Sequence, residues 1–163
     1  ERALGDLVGA EYAVPLTNAP WRPSHPRPLI FNDSQIVWLI CPASSNERPL
    51  LCRMVKFRHI LAQRYSTISD TLEEQPLYGH GLDSLTAHEI KNSTWIKQLK
   101  PTFPDENYWV DVVHFALSFK DCLVEVVAKS IEWLPATQSI EVCIDEAVQT
   151  SATVASVNGV MLK

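Results

Sequence analysis

The densest concentration of groups able to do chemistry is the run Tyr78-Gly79-His80-Gly81-Leu82-Asp83, followed closely by His88 and Glu89. Imidazole nitrogens and carboxylate oxygens offer lone pairs to zinc or a related metal at neutral pH, and glycines permit the close turn a ligand set needs. His80, Asp83 and His88 are therefore the candidate metal ligands. They lack the i, i+4 spacing of a helical zinc pair, and no Cys-x-x-Cys accompanies them. The plainer reading is a polar loop that feeds a strand, with no resident cofactor.

A second set surrounds Lys120 and Asp121, where a short polar step separates two apolar runs. His114, Asp121 and Glu125, with Cys122 beside them, are the catalytic candidates, because a hairpin could set His114 opposite a group on the returning arm. A carboxylate-His or Cys-His pair at hydrogen-bond distance can do acid-base or nucleophilic work. An enzyme would need at least two of His80, Asp83, His88, His114 and Glu125 to meet in a cleft open to solvent. The plainer alternative makes His114 a hydrogen-bonded sheet residue, Cys122 core, and Glu125 the partner of a neighbouring cation. The sequence carries no glycine-rich phosphate loop, Gly-x-Ser-x-Gly elbow or His-Glu-x-x-His helix, so the reading leans away from an enzyme. Trp95 and Glu89 are the candidate binding residues, since tryptophan is favoured in interface anchors.

The elements that must position these groups follow from apolar periodicity and turn residues. Tyr108 to Phe119 and Cys122 to Trp133 give the strongest strand signals, rich in Val and aromatic residues, and predict an antiparallel hairpin. Trp109, Val113, Phe115, Leu117 and Phe119 share one face of the first arm; Val110, Val112, His114, Ala116 and Ser118 share the other. Neither face is strongly polar, so the pair belongs at the centre of a sheet.

Gln35 to Cys41 predicts a buried strand, Leu51 to Tyr65 a long or bent one, and Thr86 to Ile90 a short one. Asn92 or Ser93 is placed to cap a helix of one or two turns carrying Trp95, Ile96 and Leu99, which stops before Pro101. The proline-rich stretch over residues 1–34 reads as an extended lead-in anchored by Trp21 and Leu29, with a weakly marked helix from Arg2 to Val8. From Ser139 onward the apolar positions Ile140, Val142, Ile144, Ala147 and Val148 fit a helix or a strand almost equally, and acidic Glu141, Asp145 and Glu146 favour a helix ending before Asn158 and Gly159.

With 163 residues, one core is the expectation: a single α+β, β-rich domain with a mostly antiparallel sheet and one to three short helices. Residues 35–133 would form the β-rich core and 134–163 a helical C-terminal segment. A formal net charge of -5 speaks against a phosphate-binding surface, so nucleic acid is not an expected partner. No apolar run approaches the roughly 20 residues that span a bilayer, so a soluble, cytoplasmic protein is expected. Cys41, Cys52, Cys122 and Cys143 lie far apart among apolar residues and read as buried free thiols, with Cys41 and Cys52 the nearest pair for a disulfide.

Gly81-Leu82, the stretch Glu89 to Leu99 and the stretch His114 to Ala128 together resemble a group of small bacterial proteins. In that group a Ser-x-Trp-Ile helix precedes a strand pair reading His-x-x-x-x-Phe-x-Asp-x-x-x-Glu. The likeness covers about Leu51 to Trp133 and departs from the pattern at Lys120, where a His is common. Some of these proteins are associated with toxin-immunity gene neighbourhoods, so the resemblance implies a partner-binding role with a toxin domain as the partner. A protein-interaction module is thus the leading expectation. A metal-dependent or acid-base enzyme and a small-ligand-binding β-rich domain are the alternatives.

Overall fold

The computed structural model describes residues 9–23, 27–33, 35–43, 51–67 and 76–160, with side chains left out for 135 and 151–160. The expected helix from Arg2 to Val8 lies outside them. In chain order the elements are β1 (Tyr12–Pro15), β2 (Leu29–Asn32), β3 (Ile36–Pro42), β4 (Leu51–Thr67), β5 (Ala87–Lys91), α1 (Thr94–Leu99), β6 (Val113–Ser118), β7 (Cys122–Ser139) and α2 (Ile140–Val160). Two short 3-10 turns, Lys100–Thr102 and Glu106–Trp109, lie between α1 and β6.

The strands form one sheet in the order β1-β5-β6-β7-β4-β3-β2, and every neighbouring pair is antiparallel. The β6–β7 hairpin occupies its middle, with Ser118 opposite Leu123 across the turn, and the Phe119 N–H donates to the Cys122 carbonyl at 2.8 Å. A β-rich α+β domain is the architecture, as expected. The proline-rich lead-in differs from its expectation, because it supplies both edge strands, β1 and β2. Trp21 anchors it, packing edge-on against Trp133 at 4.9 Å, while Leu29 stays 47% exposed, outside the buried clusters of the described residues.

Side-chain alternation gives the sheet two apolar faces. On one, Val37, Leu39, Val55, Phe57, Phe115, Leu117 and Val126 form a buried cluster joined by Trp21. On the other, Trp38, Ile40, Cys52 and Met54 pack beneath α2, which contributes Cys143 and Ala147, one helical turn apart. A third cluster on that second face joins Ala116 and Leu123 to Leu77 and Leu82 of the preceding loop. Cys41 and Cys52 fall on opposite faces, since Pro42 rather than Cys41 lies across from Cys52. All four cysteines are free and buried.

Several boundaries move for local reasons. The first hairpin arm starts at Val113 rather than Tyr108: Asp105 caps the 3-10 turn by accepting from the Asn107 N–H, and Asp111 takes a left-handed φ of 64°. The second arm runs six residues past Trp133, to Ser139, with a register shift against β4 between Cys52 and Met54. The C-terminal helix therefore begins at Ile140, is 21 residues long rather than short, and continues through Asn158 and Gly159. Among the described residues no helix is long and apolar enough to cross a membrane.

Candidate functional site

The central hairpin places His114 and Glu125 on the same face, on adjacent strands two residues out of register, and β4 lays Arg64 directly across from Glu125. Asn92, at a left-handed φ of 55°, turns the chain out of β5 so that Ser93 caps α1 above this point. The Ser93 hydroxyl accepts the Ile96 N–H at 3.1 Å and lies 2.9 Å from His114 Nδ1. His114 Nε2 lies 3.0 Å from Glu125 Oε1. A carboxylate can only accept, so Nε2 donates there, and with a neutral imidazole the Ser93 O–H, not needed for the cap, donates to Nδ1. Arg64 closes the chain with Nε and a terminal nitrogen each 2.6 Å from a different Glu125 oxygen. Trp95 covers it, with its ring under the guanidinium at 4.3 Å and edge-on to His114 at 5.2 Å.

Burial alone would raise the Glu125 pKa, but the hydrogen bonds from His114 and Arg64 and the Arg64 charge outweigh it, so the carboxyl is held below the usual glutamate value. In return, the bond that Arg64 donates to Glu125 pushes the Arg64 pKa up, against its partial desolvation. Bidentate, charge-assisted pairs of this kind are the strong ones.

Ser93, His114 and Glu125 are connected in the order of a serine-histidine-acid relay. Their exposures of 5%, 0% and 3% leave little of the three side chains open to solvent, and the Ser93 oxygen is already engaged as a helix cap. The enzyme reading thus gains its hydrogen-bonded pair and lacks its solvent access. As it stands, the network is a polar pin joining α1, β4, β6 and β7 through one buried carboxylate.

The other candidates do not converge on it. Asp121 sits in the hairpin turn outside the network, and Glu89 pairs with Lys91 at 2.5 Å. His80 and Asp83 are exposed, whereas His88 is fully buried on β5, where its Nε2 accepts the Asp83 N–H at 3.1 Å. That lone pair is unavailable to a metal while the bond holds. Burial, partly opposed by Asp83, lowers the His88 pKa. Among the described residues no group of three or more His, Cys, Asp and Glu side chains comes together as a metal site.

Two side chains of the network had no functional signal in the sequence. Ser93 was legible as a cap but not as a histidine partner. Arg64 looked like one more polar position on a long strand, and only the register shift between Ile60 and Ala62 decides which face it takes.

The open surface beside the pin is of a different kind. Phe103 stacks on Tyr108 at 5.3 Å, and Trp109 stands edge-on to both, tied by its indole N–H to the Phe103 carbonyl at 2.9 Å. Lys100, Phe103, Glu106, Trp109 and Val110 line a surface cleft of about 530 Å³. Lys100 also borders a groove of about 270 Å³ alongside α1, whose floor reaches Ser93, Ile96 and His114. Comparison of the chain with protein-family models, with curated proteins and with solved structures finds no match.

Proposed function

We propose that this chain is a protein-interaction module that docks its partner on the rim formed by α1 and the segment 100–110. The observation that carries the reading is the exposed ring cluster: Phe103 is 43% exposed and Tyr108 39%, beside Val110 at 56%. Large rings gathered at the surface are the material of interface hot spots. Here they sit on short 3-10 turns between α1, which the buried pin holds, and β6, an arrangement that offers a preformed surface. A bacterial immunity protein neutralising a toxin domain is the specific form we put forward, and its support is the resemblance alone. Four free, buried thiols suit a reducing compartment, and on that ground we place the protein in the cytoplasm.

The test is co-purification with the product of a neighbouring gene, for the wild type and for Val110→Asp. Val110 has room to change without disturbing the core. Retention by the wild type and loss in the variant supports the reading; equal retention, or none with either, sinks it.

A further inference from the structure

The groove beside α1 is basic in a chain of formal net charge -5. Of the lysines that line it, Lys91 is neutralised by Glu89. Lys97 and Lys100, both exposed, make no ion pair among the described residues. They lie three residues apart at the end of α1, where like charges repel and an anion between them gives relief. Lys100 also lines the neighbouring cleft, so this positive end runs directly into the apolar wall of Phe103, Trp109 and Val110.

We infer that the groove takes an extended acidic segment of a partner protein, with carboxylates over Lys97 and Lys100 and an apolar side chain against Phe103 and Trp109. This rests on the interaction-module reading and adds the chemistry of the partner to it. Complementary charge speeds encounter and fixes register, while the apolar anchor supplies the hold. Glu106, which also lines the cleft, opposes a uniformly acidic segment and favours carboxylates toward Lys97, which lines only the groove.

The probe is a short labelled peptide in which aspartates precede Leu-Phe, compared with its asparagine counterpart by fluorescence anisotropy. The aspartate peptide binds the full chain more tightly. The Lys97→Glu/Lys100→Glu double variant loses about tenfold toward it at low salt, a gap that narrows as salt rises. The Lys97→Gln/Lys100→Gln variant, free of new repulsion, loses part of that affinity. Equal binding of the two peptides, or binding of neither, overturns the inference. If Val110→Asp weakens both peptides while the lysine variants change nothing, the rim docks but not through charge. If the lysine variants matter and Val110→Asp does not, the apolar half of the site fails, and the docking reading fails with it.

Discussion

Arg64 forks onto the Glu125 carboxylate with two bonds of 2.6 Å, although the arginine side chain is 48% exposed and the glutamate only 3%. The pair therefore works as a stopper, with one charged end in water and the other holding a buried anion.

Removing the stopper leaves Glu125 buried with His114 as its remaining partner. Arg64→Ala is expected to lower stability by about 3 kcal/mol, the range for breaking one side of a buried ion pair, read as a shift of the urea midpoint. Arg64→Lys restores only part of it, because an ammonium supplies neither the bidentate fork nor the flat face that lies on Trp95.

The depressed Glu125 pKa makes folding acid-sensitive. The unfolded chain binds that proton more readily than the folded one, so the contribution is whole above the ordinary glutamate value of 4.5 and is lost as pH falls through the lower folded value. In urea titrations at stepped pH, Glu125→Gln should be less stable at neutrality and show a shallower loss over that acid limb. An unchanged limb would remove Glu125 as its cause.

His88 acts in a separate window. Its pKa is lowered by burial, so the folded state binds fewer protons, and stability declines as pH falls below 6.5. His88→Gln keeps an acceptor for the Asp83 N–H and should flatten the profile between pH 6.5 and the carboxylate limb. Comparing slopes rather than midpoints separates titration from packing.

Gly79 and Gly81 both have positive φ, yet they should respond differently to substitution. A Cβ on Gly81 would lie 2.4 Å from the Ala13 carbonyl oxygen, whereas one on Gly79 meets nothing within 4 Å. The turn lies against β1, where the His80 carbonyl accepts the Ala13 N–H at 2.7 Å. Gly81→Ala should cost about 2 kcal/mol or more and speed hydrogen exchange at Ala13, while Gly79→Asn, in a left-handed conformation asparagine tolerates, stays within about 1 kcal/mol.

The cysteines should resist thiol reagents until the chain unfolds. Burial, with Cys52 nearby, pushes the Cys143 thiol up to about 11, and burial raises Cys41, Cys52 and Cys122 as well, so the reactive thiolate is scarce at neutral pH. Rapid labelling of the native protein with an aromatic disulfide reagent would contradict their burial.

The sequence by itself determined the local elements: the central hairpin at Lys120 and Asp121, the buried strand ending at Pro42, and the short helix with its Ser93 cap. Each depends on neighbours in the chain, through alternation, turn residues or a cap, and such signals survive without the fold. It also singled out His114, Glu125 and Trp95, though not what joins them. Tertiary structure decided the rest. Prolines at 15 and 28 masked two edge strands, because a short antiparallel edge needs few donors on its outer side and tolerates flanking proline. Arg64 reached Glu125 across 61 residues only through a register that β4 sets at its second shift. His88 and Asp83 met as a buried acceptor and a backbone donor rather than as ligands, because the strand turned the imidazole inward. Tyr108 and Trp109 became part of a 3-10 turn rather than strand once Asp105 and Asp111 bent the backbone. Distance and burial are properties of the assembled sheet, and they separated the polar groups that pin the domain from those left facing a partner.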